Sequence, residues 1–249
     1  MGLTVLASLL FVGSASAEST TLDTSDNVAI SFWIATAMML ASTIFFLVER
    51  SNVAPKWRTS VTVAGLVTGI AFWHYLYMRG IWIDTGTSPT ELRYIDWLIT
   101  VPLQIVEFYL ILYAVTKVKM NLFWQLLGAS LVMLVFGYLG ETGDLNEYIA
   151  FAIGMLGWLY VIYLIYFGEA KKANSESGNT SSQMAFNAIR WIVLVGWAIY
   201  PIGFLLGNFG DLGADGVKAM NAIYNLADLV NKTAFGLVIW AAAKRDSES

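Results

Sequence analysis

The stretch LRYIDWLITVPLQIVEFYLILYA, Leu92 to Ala114, decides the fold. It is long enough to cross a bilayer as one helix, which takes about 20 mainly apolar residues. It nevertheless carries Arg93, Asp96 and Glu107. A charge at the bilayer centre costs about 2.5–3.5 kcal/mol on insertion scales, so these side chains must line a protein interior rather than face lipid. Helix geometry allows this. At about 100° per residue, Arg93, Asp96, Trp97, Thr100, Gln104 and Glu107 fall within an arc of about 100°. One face holds the polar groups, and such a helix needs other helices to cover that face.

Working outward, further apolar runs lie near Val28–Val48, Thr59–Met78, Leu122–Gly140, Tyr148–Phe167, Ile189–Leu206 and Val217–Ala243. With Leu92–Ala114 they make seven spans, an all-α membrane bundle. Turn-forming residues mark the connectors Asn52–Pro55, Asp84–Pro89 and Gly207–Gly216. Ala173–Ser182 is the longest polar link. A transmembrane barrel would show alternating segments of about ten residues instead, and neither an internal repeat nor a second domain is visible.

Composition agrees. The chain is 57% hydrophobic and 13% charged, against about 25% charged in soluble domains. The excess apolar surface must meet lipid or a partner. There is no cysteine and one histidine, which argues against disulfides and structural metal sites. The net charge of −4 is mild, and no basic stripe suggests nucleic acid.

Leu3–Val12 is apolar but too short to span. It is followed by the small-x-small pattern Ala15-Ser16-Ala17. Residues 1–17 therefore read as a secretory signal, leaving 18–249 as the seven-helix domain. The lack of Lys or Arg before the apolar run leaves an uncleaved extension as the alternative. Nine cations gather in alternate links: Arg50, Lys56, Arg58, Lys117, Lys119, Lys171, Lys172, Lys244 and Arg245. The positive-inside rule puts those links and the C-terminus in the cytoplasm and the N-terminus outside. The opposite face has Arg79, Lys218 and an acidic link with Glu141, Asp144 and Glu147.

In the last span Asp228 and Lys232 stand at i and i+4 and share a face. Charge placement alone also admits a structural reading, with Asp228–Lys232 and Arg93–Asp96 as two ion pairs. Glu107 fits that reading less well. It lies 11 residues beyond Asp96, about 16 Å along the helix, among Leu103, Val106, Phe108, Leu110 and Ile111. Such surroundings favour the uncharged carboxyl, which suits a proton relay and equally a neutral Glu bonded to another helix. Trp97, Trp197 and Tyr200 lie inside spans, away from the interface belts. They form either ordinary packing or walls for a flat apolar ligand. Pro201 should kink the sixth span and free a carbonyl. His74 is either a satisfied core or interface histidine or the partner of a carboxylate.

These residues together resemble the microbial rhodopsins, and closely the proteorhodopsins. The resemblance covers nearly all of residues 18–249. It is carried by Arg93–Leu103 (RYIDWLITVPL), Trp197–Pro201 (WAIYP), Tyr224–Lys232 (YNLADLVNK) and Gly69–Tyr75 (GIAFWHY). It implies all-trans retinal bound covalently at Lys232 as a Schiff base. It also implies Asp96 as main counterion and proton acceptor, Asp228 as second counterion, Arg93 just outside them and Glu107 as proton donor. Asp96, Thr100 and Glu107 match the outward proton-pump pattern, which halide and sodium pumps replace and sensory members usually lack at the donor.

His74 resembles the histidine that pairs with the counterion, and Trp97, Trp197, Tyr200 and Pro201 belong to the chromophore pocket. Gln104 matches the colour-tuning position, where Gln goes with blue and Leu with green absorption. The implied protein is a transporter rather than an enzyme. It moves protons across a bacterial-type inner membrane, with no metal and no nucleic acid, as a pentameric or hexameric ring. A slow-cycling photosensor and a seven-helix receptor or transporter without chromophore are the competing readings.

Overall fold

The computed structural model describes residues 23–209 and 213–248. The signal segment read at 1–17 lies outside the described residues. The helices are α1 (Asn27–Glu49), α2 (Arg58–Thr85), α3 (Thr90–Tyr113), α4 (Met120–Glu141), α5 (Glu147–Tyr166), α6 (Glu169–Glu176), α7 (Thr180–Trp191), α8 (Ile199–Asn208) and α9 (Gly213–Glu248). A π-helical turn, Ile192–Gly196, joins α7 to α8. Among the described residues seven helical segments are long and apolar enough to cross a membrane, α7 and α8 together forming the sixth. They pack as a closed ring in which α9 lies against α1, α2, α7 and α8.

Ring closure turns the usual solvent pattern inside out. Large apolar side chains such as Ile44, Leu156 and Val195 are exposed on the rim, while Arg93, Asp96, Glu107, Asp228 and Lys232 are buried inside. Backbone polar groups within the spans are satisfied chiefly by their own helices, as lipid demands. Close approach is set by small residues. A Cβ on Gly157 of α5 would come within 2.8 Å of the Ala129 carbonyl oxygen on α4, so the two backbones touch only because glycine is there.

Two boundaries differ from the sequence reading. The second span runs to Thr85, beyond Met78, and ends on Gly86 at φ 65°. Arg79 does not stop it, because its guanidinium lies 3.8 Å over the Trp33 ring and its stem covers apolar surface. The link Ala173–Ser182 is largely helical. α6 ends at Glu176, and α7 starts at Thr180 behind Asn179, whose side chain accepts the Ser182 N–H. Its Ser and Asn residues act as caps, which composition cannot distinguish from loop. The sixth span thus starts nine residues before the expected Ile189.

One end of the bundle collects the basic links. Asp246 near the C-terminus accepts from Trp57 Nε1 at 2.7 Å and Asn179 Nδ2 at 2.6 Å, and pairs with Lys56 at 2.6 Å. At the opposite end Asp26 caps α1 and accepts from Trp82 Nε1 at 2.9 Å.

Pro201 acts over a longer stretch than a simple kink. It has no N–H for the Trp197 carbonyl, which takes the Tyr200 N–H instead at 3.2 Å. The Gly196 carbonyl is then left over, and Asn231 Nδ2 of α9 donates to it at 2.9 Å. The π turn and this side-chain bond together satisfy the backbone that proline disrupts. A Cβ on Gly196 would collide with Asn231 Oδ1. Gly196→Ala should therefore cost about 1–3 kcal/mol, read as a lower thermal midpoint by circular dichroism. Gly80→Ala is the control, because nothing lies within 4 Å of its Cβ position, and its midpoint should hold or rise.

Candidate functional site

The polar face of α3 meets the Asp228–Lys232 face of α9 at the centre of the ring. Lys232 Nζ donates to Asp96 Oδ2 and, at 3.0 Å, to Asp228 Oδ2. All three groups are almost fully buried. The cation is thus shared by two carboxylates, and Asp96 pairs with Lys232 across the ring rather than with Arg93 one turn away.

The two carboxylates are held differently. Asp228 Oδ1 accepts from Tyr200 Oη at 2.7 Å and Trp97 Nε1 at 3.1 Å, and its Oδ2 accepts from Tyr75 Oη at 2.9 Å. With Lys232 that makes four donors. Asp96 Oδ1 has no hydrogen-bond partner among the described residues. His74 Nδ1 stands 3.5 Å from it but 2.9 Å from the Ile70 carbonyl. A carbonyl only accepts, so Nδ1 gives its hydrogen to Ile70, and the contact with Asp96 stays long. The Thr100 hydroxyl donates to the Asp96 backbone carbonyl at 2.9 Å, which fixes this turn of α3 without engaging the carboxylate.

Arg93 is fully buried beyond this cluster. Its Nη2 donates to Asn221 at 3.0 Å and Asn225 at 3.1 Å. Its carbon Cζ lies 5.6 Å from the Phe32 ring centre and 5.2 Å from that of Tyr224. Among the described residues Arg93 makes no ion pair within 4 Å. On the other side, toward the basic end, Glu107 is 1% exposed. Neither of its oxygens has a partner in hydrogen-bond geometry, and Ser60 of α2 lies beside it.

Lys232 also lines an apolar cavity walled by Trp97, Trp197, Tyr200, Pro201, Trp158 and Phe204, with Gln104 among its lining. Trp97 stands edge-on to Tyr200 and Tyr224 at 5.1 and 5.2 Å. Gly137, Ala150 and Gly154 are also among its lining and leave room there. Gln104 Nε2 is buried and unpartnered among the described residues, so the amide is not consumed by a bond from that nitrogen to another helix. One lysine among the aromatic walls of an apolar cavity fits a flat, apolar ligand that reacts with an amine.

Sequence reasoning gave no role to Tyr75, Asn221, Asn225 or Asn231. Tyr75 sits inside a quoted stretch beside His74, and a tyrosine mid-span is itself a signal, because its hydroxyl needs a buried partner. Glu141 was read as part of an acidic link, but it ends α4 and accepts from Tyr94 at 3.1 Å and Thr90 at 3.1 Å.

A seven-helix ring with one buried lysine shared by two carboxylates defines a class of membrane protein, and the bacteriorhodopsin-like protein family matches residues 26–245. The chain belongs to that family. It is 55% identical to the blue-light absorbing proteorhodopsin of Gamma-proteobacterium Hot 75m4, over 99% of this chain and 98% of the relative. It is 53% identical to the green-light absorbing proteorhodopsin of Gamma-proteobacterium EBAC31A08, over 99% and 98%. The crystal structure of the blue light-absorbing proteorhodopsin from Med12 superposes with a TM-score of 0.78 at 59% identity, covering 89% of this chain and all of that one.

Proposed function

We propose that this chain is a light-driven outward proton pump of the blue-absorbing proteorhodopsin type, seated in the cell inner membrane with its basic end in the cytoplasm. The observation that carries the reading is the buried Lys232 Nζ between Asp96 and Asp228, with Glu107 isolated on the side of the basic links. Lys232 would hold retinal at Nζ, with Trp97, Trp197, Tyr200 and Pro201 as its walls. Retinal bound there supplies light absorption and a light-driven change of shape.

The side chains of the protein do the rest. Asp96 receives the proton that leaves Nζ, since its Oδ1 is open while Asp228 is committed to its donors. Asp228 stays the fixed negative charge, held by Tyr75, Tyr200 and Trp97. Arg93 holds positive charge on the outer side and disfavours return of a proton as a cation. Glu107 supplies the replacement proton to Nζ from the cytoplasmic side. Each turnover works against about 2.3 kcal/mol per 100 mV of membrane potential. Assembly as a pentameric or hexameric ring belongs to the same reading and rests on the family resemblance. Intact cells making the protein with retinal should acidify their medium in light, and an uncoupler should abolish this. A visible band without acidification would favour a photosensor, and no band would remove the chromophore.

Glu107→Gln should leave the dark spectrum nearly unchanged, because it lies 11 residues from Asp96 along α3, about 16 Å. Recovery of the dark state should slow by about 10²-fold or more, the usual worth of a positioned acid. Flash photolysis checks this, and recovery at the parent rate removes the donor role.

Gln104→Leu tests the colour. Retinal held at Lys232 would carry its positive charge near Nζ in the ground state and less of it there on excitation. The Gln104 amide dipole, which lines the same cavity, would then stabilise the ground state more than the excited state. Leu keeps the bulk and removes the dipole, so the absorption maximum should move toward green. The overall identities of 55% and 53% to blue- and green-absorbing relatives barely differ, which leaves the colour to local residues such as this one.

A further inference from the structure

At the basic end, away from the central site, polar and basic side chains of α6 and α7 line an open pocket of about 290 Å³. Two short stripes face it. Lys171, Asn174 and Ser175 stand at i, i+3 and i+4 on α6, and Gln183, Asn187 and Arg190 stand at i, i+4 and i+7 on α7. No carboxylate is among the lining residues.

The cavity is built rather than incidental. Gln183 Nε2 ties the two helices by donating to the Asn174 carbonyl at 3.1 Å and the Ser175 carbonyl at 3.4 Å. Arg190 is braced from the other side. Its guanidinium lies 4.9 Å over the Tyr166 ring, and its carbonyl accepts the Tyr166 hydroxyl at 3.2 Å. Two buried polar atoms of the lining residues remain without partners among the described residues: Arg190 Nε, a donor, and Asn174 Oδ1, an acceptor on a side chain 6% exposed. Buried polar groups are rarely left so.

Its level in the membrane limits the occupant. Phe167 lies four residues before Lys171 and Trp191 directly follows Arg190, and they are 73% and 56% exposed. Exposed aromatic rings at the end of a span mark the lipid–water interface, where phosphates of the lipid headgroups lie. Basic pockets between helices at that level take anionic headgroups.

We infer that this cavity binds the headgroup of an anionic glycerophospholipid. Lys171 and Arg190 hold the phosphodiester, and Asn174 Oδ1 accepts from a headgroup hydroxyl. Because the cavity joins α6 to α7, the bound lipid would link the cytoplasmic ends of the fifth and sixth spans.

The test titrates delipidated full-length protein with dioleoylphosphatidylglycerol and counts bound lipid by native mass spectrometry. One phosphatidylglycerol should bind about tenfold more tightly than phosphatidylcholine, as expected for charge-assisted bonds in place of a zwitterion. Lys171→Gln and Arg190→Gln should each weaken that first site about tenfold. Lys172→Gln, which removes the same charge one residue off the cavity, should not. Lys171 is exposed, so its variant remains informative if Arg190→Gln fails to fold. Equal weakening by Lys172→Gln means diffuse charge attraction and overturns the site. Displacement of the lipid by equimolar inorganic phosphate means that the cavity takes the free ion, which overturns the lipid assignment. Phosphatidylmethanol binding as tightly as phosphatidylglycerol overturns the role of Asn174.

Discussion

Lys232→Ala is expected to yield a folded protein that stays colourless when all-trans retinal is added. Lys232 is the lysine that lines the aromatic cavity, and the other lysines sit in the links and at the helix ends. The effect on the visible band is therefore all or nothing. The substitution also leaves Asp96 and Asp228 buried without their shared cation. Removing one partner of a buried ion pair costs about 3–5 kcal/mol, so the yield of folded protein should fall and one carboxyl should bind a proton. Far-ultraviolet circular dichroism and a monodisperse elution profile verify the fold. A native-like visible band in the folded variant would sink the assignment.

Asp96→Asn should stop pumping while retinal still binds. Asn keeps the size of the side chain and its bond toward Nζ, but it can neither take up a proton nor carry charge. Light-driven acidification should drop at least about 10²-fold, the lower range for loss of a positioned proton acceptor. With one negative charge gone from beside Nζ, the positive ground state is less stabilised, and the dark band should shift to the red. Asp228 should not replace it, because Tyr75, Tyr200 and Trp97 already occupy its oxygens. Full pumping by Asp96→Asn would give the acceptor role to Asp228 instead.

The same two carboxylates show where the sequence runs out. Asp96 and Asp228 are both acids inside a span, each with a cation three or four residues away. From the sequence the pairing Arg93–Asp96 is as good as any. What separates them is the set of donors that other helices bring, and those partners lie 28 to 153 residues away in the chain. His74 is a similar case. Its own helix offers the Ile70 carbonyl at i−4, and that local bond takes the hydrogen that Asp96 would otherwise receive.

By itself the sequence determined the seven spans, because lipid imposes a length and an apolarity that any run of about 20 residues either meets or fails. It also determined which residues share the inner face of α3 and of α9, since helical periodicity is local. The ends of α2 and the start of α7 escaped it, because Arg79 over Trp33 and the cap on Asn179 make polar residues helical in this context only. Tertiary structure alone decided that Lys232 bridges both acids and that Arg93 answers to Asn221 and Asn225. It alone decided that Asn231 repairs the backbone broken by Pro201, and that the stripes of α6 and α7 face each other. Each of these is a contact between helices, fixed by the order and rotation of the ring, and no spacing along one chain segment encodes that.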